Sequence, residues 1–107
     1  MGTLTYDSKL TATIDDRVLA HLQLVIWAKL RRGETFAFTF TDSEHASLGR
    51  TSIWLAPTIS LAFQYFGSRP PRINPRWIEE LSRSANSGGG LQIVPEPEIE
   101  AEHRSAP

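Results

Sequence analysis

The sequence predicts a single α+β domain with the element order ββαβββαβ. Three observations point there. One long helical pattern runs over 15–32. Short stretches of alternating residues flank it on both sides. A second, shorter helix start stands at Asn74-Pro75 and is followed by one last short apolar run. The expected architecture is an antiparallel sheet covered on one face mainly by the long first helix, with the second helix at an edge or beside it. A chain of 107 residues is one domain, large enough for one core. The domain is expected over 1–95 and an acidic tail over 96–107.

The long helix has agreeing start and stop signals. Asp15 can cap it, its carboxylate accepting a backbone N–H two or three residues on, and Asp16 adds negative charge at the positive end of the helix dipole. Lys29, Arg31 and Arg32 crowd the last turn, and Gly33 can take the left-handed conformation that ends a helix. At about 100° per residue, Val18, Leu19, Leu22, Val25, Ile26 and Leu30 form one apolar face for the sheet. A second stripe, Ala20, Leu24, Trp27 and Ala28, lies on the far side, where a two-layer domain has no obvious cover. Either the second helix or loops cover it, or a second copy of the chain does. His21, between the faces, is expected at the surface or rim, with no partner at i+4 to make a metal pair.

The remaining elements follow in order. Residues 3–6 and 10–14 alternate around Asp7-Ser8-Lys9 and read as a hairpin. Over 35–41, Phe36, Phe38 and Phe40 point one way and threonines and Ala37 the other. Core packing is the expected role of the three rings, and a stacking platform for bases is the alternative. The loop 42–50 puts Asp42, Glu44 and His45 close together at a spacing that matches no metal motif. Strands follow at 51–55 and 59–66, joined through Pro57, which cannot donate to a ladder. Ile59, Leu61, Phe63 and Tyr65 are the inward set, and Trp54 is expected on the far sheet face. After the stiff basic connector GSRPPRI, Asn74 caps the second helix with Pro75 at its first position. Trp77, Ile78 and Leu81 form its apolar stripe, and Gly88-Gly89-Gly90 end it. Residues 91–94 are a last short strand. From Glu96 the Pro/Glu content predicts a tail without fixed structure.

Composition bounds the function. No run approaches the ~18 apolar residues of a membrane span, and the N-terminus has no secretory pattern, so the expected place is the cytoplasm, with no membrane partner. The absence of cysteine removes disulfides, thiol catalysis and thiolate zinc sites. Residues 96–107 carry four Glu against Arg104, whereas 1–95 carry ten Lys/Arg against eight Asp/Glu. The body is mildly basic and the tail acidic. The glycine triplet follows a helix and lacks the Lys-Ser/Thr of a phosphate loop. Glu79 and Glu80 are adjacent and point apart on a helix, so they form no acid/base pair. No catalytic set, metal site or cofactor site is predicted.

One constellation has a physical case. Arg69, Arg72 and Arg76 lie beside the N-terminus of the second helix, where free N–H groups, the positive dipole end and guanidinium forks converge on an anion. Arg50 joins them if the strands bring it near. The candidate anions are a nucleic-acid phosphate, an acidic partner segment and the protein's own Glu-rich tail.

The blocks MGTLTYDS, HLQLVIWAKLRRGE, GRTSIWLAP, FGSRPPRIN and LQIVPEP occur in that order over residues 1–97. With their spacing they resemble a family of short actinobacterial proteins of unknown function. Members often carry the label ATP-dependent DNA ligase, which implies DNA-linked biology and an adenylated lysine in a Lys-x-Asp-Gly motif. Here Lys9 is followed by Leu-Thr-Ala and Lys29 by Leu-Arg-Arg. The chain is also too short for a nucleotidyltransferase core. The resulting expectation is a non-catalytic binding module, either a nucleic-acid-associated accessory protein using Arg69, Arg72, Arg76 and Arg50, or a homodimeric interaction module using Ala20, Leu24, Trp27 and Ala28.

Overall fold

A computed structural model describes residues 1–42 and 49–98. Its elements are β1 (Gly2–Tyr6), β2 (Leu10–Ile14), α1 (Asp16–Arg31), β3 (Phe36–Thr41), β4 (Arg50–Leu55), β5 (Leu61–Gln64), α2 (Pro75–Ala85) and β6 (Leu91–Gln92), in the expected α+β order. Glu44 and His45 of the acidic loop, and residues 99–107 of the tail, lie outside the described residues.

Local chemistry explains the elements. The Asp15 side chain accepts from the backbone N–H groups of Arg17 and Val18, at 3.0 and 3.4 Å, and so caps α1. Gly33, at φ +79°, closes the helix with its N–H on the Leu30 carbonyl. The β1–β2 turn is tight enough to hold Asp7 and Ser8 at positive φ, a conformation that Asp tolerates better than most non-glycine residues. Asn74 caps α2 by accepting from the Arg76 N–H at 3.0 Å, with Pro75 at the first helical position.

Among the described residues, the strands divide into two three-stranded sheets. In the first, β1 is central, antiparallel to both β2 and β5. In the second, β3 is central, antiparallel to β4 and parallel to β6, with Phe38 opposite Leu91. Each sheet is thus completed by a strand from the second half of the chain. Two polar contacts tie the sheets together. The Tyr6 hydroxyl donates to the Trp54 carbonyl at 2.8 Å, and the Thr13 N–H donates to the Asp42 carboxylate at 2.9 Å.

One core joins both sheets and both helices. Leu19, Leu22, Val25 and Ile26 of α1 are buried in it with Leu4, Ile14, Leu55, Trp77, Leu81 and Leu91. Phe36, Phe38 and Phe40 are buried there too, the last two with ring centroids 5.1 Å apart. The three rings are core, not a stacking platform. Trp54, on the opposite face of the second sheet, is exposed. Gly2 is buried where β1, β5 and α1 converge. A Cβ there would stand 2.5 Å from the Gln64 carbonyl oxygen and 2.9 Å from Leu19. The backbones approach so closely that only glycine fits.

Candidate functional site

The outer face of α1 is one part of the site. Leu24 and Trp27 are 45% and 48% exposed, although every large side chain of the inner stripe is buried or half-buried. Ala20 and Ala28 are half-buried beside them. β5 covers the stripe only in part. The Trp27 ring meets Phe63 edge-on at 5.9 Å, and the Tyr65 hydroxyl donates to the Gln23 side chain. Tyr65 is half-buried, and burial first, then the Asp16 carboxylate, pushes its pKa up to about 12. Its ring forms one wall of a groove. The basic connector supplies a second wall, so that Ala20, Leu24, Tyr65, Arg69, Pro70 and Ile73 line a groove of about 550 Å³.

The predicted arginines are only partly brought together. Arg69 faces the groove and, among the described residues, has no ion pair. Arg72 is exposed and gives its carbonyl to the Arg17 guanidinium at 2.7 Å. Arg76 is half-buried in the first turn of α2. Arg50 does not join them. It sits on β4 and lines a different groove with Thr39, Ser52 and Gln92. Strand order is the reason, because β4 flanks β3 in the second sheet whereas the connector leaves β5 in the first. The groove that Arg69 faces also carries Asp15 and Asp16. Asp16 accepts from the backbone N–H groups of Gly67 and Phe66, and the Gly67 bond above all holds its carboxyl below the usual range.

The cap residue of α2 is bonded to a carboxylate of the same chain. Glu96 seats its carboxylate on the Arg17 guanidinium in a two-pronged fork, at 2.9 and 2.6 Å, and accepts from the Asn74 side-chain amide at 2.9 Å. Asn74 also donates to the Pro97 carbonyl, and Trp77 Nε1 to the Val94 carbonyl. The Arg17 fork first and the Asn74 amide second hold Glu96 down to about 2. Of the three candidate anions, the protein's own chain supplies the one seen here, and it meets Arg17 and Asn74 instead of Arg69, Arg72 and Arg76.

His21 corrects the expectation of a surface or rim residue, since it is fully buried. Burial is tolerated because both ring nitrogens are bonded. The Asn74 N–H can only donate, so Nε2 accepts from it at 2.9 Å; the Arg17 carbonyl can only accept, so Nδ1 donates to it at 2.8 Å. The ring packs on Trp77 with centroids 4.5 Å apart. Burial lowers its pKa, so the neutral ring is the folded form. Arg17, His21 and Glu96 were not foreseen as a unit. Arg17 and His21 share the i,i+4 spacing of one helix face, but nothing local couples them to Glu96, 79 residues from Arg17.

The two lysines lie in different settings. Lys9 is exposed in the β1–β2 turn. Lys29 is buried, with Nζ bonded to Glu34 at 2.8 Å and to the Asn86 side chain at 2.6 Å, above the Phe36 ring. Glu34 is held down to about 2 by Arg32 first and then Lys29. Among the described residues no cluster of His, Asp and Glu could hold a metal ion. No described helix is long and apolar enough to cross a membrane.

No curated protein and no solved structure matches the chain. A family does, over residues 1–96. That span runs from the buried Gly2 to the Glu96 that closes on Arg17, so it takes in both sheets, both helices and the fork. The chain belongs to the family described as Domain of unknown function (DUF7882).

Proposed function

We propose that the chain is a non-catalytic protein-interaction module that works as a homodimer in the cytoplasm, with the outer face of α1 as its contact. The observation that carries this reading is the exposure of Leu24 and Trp27 on a helix whose other large apolar side chains are at least half-buried. An apolar stripe left open on an otherwise packed helix marks an interaction surface. Light scattering of the protein at tens of micromolar tests it. A mass of twice 12.0 kDa is expected, falling to the monomer value in Leu24→Glu. A monomeric wild-type protein overturns the reading.

A nucleic-acid accessory role is the second reading. Arg69 and Arg72, exposed and without ion pairs among the described residues, favour it. Asp15 and Asp16 on the same groove weigh against it, because carboxylates repel phosphates. A mobility shift with duplex DNA and with RNA at two salt concentrations separates the readings. Phosphate contacts weaken steeply as salt rises, and the expected outcome is no shift at either concentration. The ligase reading has no residue to carry an adenylate and is not proposed.

A further inference from the structure

We infer that the second copy lies antiparallel on the first, the two α1 helices crossing at Leu24. This rests on the homodimer reading and adds its geometry.

The exposed stripe is nearly palindromic about Leu24. Ala20 and Ala28 stand four residues to either side, about 6 Å along the axis each way. Beyond them the stripe ends in Asp16 on one side and Arg31 on the other, at eight and seven residues. At about 100° per residue these five side chains fall within a band of roughly 120°. Small residues flanking a large one let two copies interdigitate, since an antiparallel pair sets Trp27 of each copy against Ala20 of the other.

Charge selects the same orientation. At the N-terminal end stand Asp15, which caps α1, and Asp16, whose carboxylate takes the Gly67 and Phe66 N–H groups and lies 3.8 Å from the N-terminal ammonium; Arg69 lines the same groove, and the Arg17 guanidinium is already forked to Glu96. At the C-terminal end Lys29 and Arg32 are paired with Glu34. Arg31 is exposed and, among the described residues, has no ion pair. A parallel pair would set acid on acid and Arg31 on Arg31. An antiparallel pair brings Arg31 of each copy to Asp16 of the other and opposes the helix dipoles favourably.

The chain has no cysteine, so single-cysteine variants of the full chain read this geometry directly. In an antiparallel pair crossing at Leu24, the two Cα atoms of that residue stand roughly 4–5 Å apart, within disulfide reach. The two copies of Ala20 stand about 12 Å apart along the axis and cannot bridge. Under a mild oxidant, Leu24→Cys is expected to form the disulfide dimer at least roughly ten-fold faster than Ala20→Cys or Ala28→Cys alone. An equimolar mixture of those two is expected to cross-link to each other. Equal self-cross-linking at all three positions, beside a dimeric mass, overturns the antiparallel geometry and leaves the homodimer standing. Self-cross-linking at Ala20→Cys or Ala28→Cys in place of Leu24→Cys overturns the crossing point. A monomeric mass with no cross-linking anywhere overturns both.

Discussion

The two faces of α1 carry similar side chains to different ends. Leu22 and Ile26 on the inner face are fully buried, whereas Leu24 and Trp27, on the same helix, stand about half in water. A leucine contributes to folding through the water it leaves, so the inner face sustains the fold and the outer face contributes little to it. Surface left open on the outer face is available for association.

The largest effect should come from the inner face. Leu22→Ala removes a fully buried side chain and is expected to cost about 2–5 kcal/mol by urea unfolding. Leu24→Ala should stay within about 1 kcal/mol of wild type when both are monomeric. Equal losses at the two positions would erase the contrast between the faces. Next comes His21→Phe, which keeps the ring stack on Trp77 but leaves the buried Asn74 N–H without its acceptor. A loss of about 1–3 kcal/mol is expected at pH 7.

The pH dependence sharpens the same point. His21 is lowered chiefly by burial, with Arg17 and Glu96 as its charged neighbours. Below the unfolded-state value of about 6.5 the unfolded chain takes up a proton that the folded chain refuses, so stability falls as pH drops from 7 toward 5. His21→Phe should flatten that part of the curve. Glu34 and Glu96, both held to about 2, add a separate loss that begins only as pH falls through about 4.5. An unchanged slope between pH 7 and 5 in the variant would mean that His21 is not the group refusing the proton. The smallest expected effect is at the cap: Asp15→Ala should cost about 1 kcal/mol, seen as a lower urea midpoint.

What the sequence made legible was local. Asp15, Gly33 and Asn74-Pro75 are end signals whose chemistry acts within four residues, and all three stand where expected. The buried phenylalanine row was readable from its period of two. The division into two sheets was not, because it depends on which distant strand pairs with β1 and which with β3. Arg50 parted from Arg69 for that reason. His21 was misplaced because its burial depends on Asn74, 53 residues away, and no spacing along one helix announces such a partner. The Glu-rich tail was one of the candidate anions, but nothing local said that Glu96 would meet Arg17, 79 residues away.

The pairing of early strands with late ones also bears on how the molecule is born. β1 waits for β5, and β3 waits for β6, so a ribosome must release residues 61–64 before the first sheet is complete and residues 91–92 before the second is. A nascent chain that stops before residue 61 holds a hairpin, a helix and the β3–β4 pair, and the inner stripe of α1 has no α2 or β6 to lean on. Vectorial synthesis therefore cannot bank the first half as a finished piece, and truncation anywhere before Leu91 should leave a chain for chaperones and proteases rather than a smaller domain.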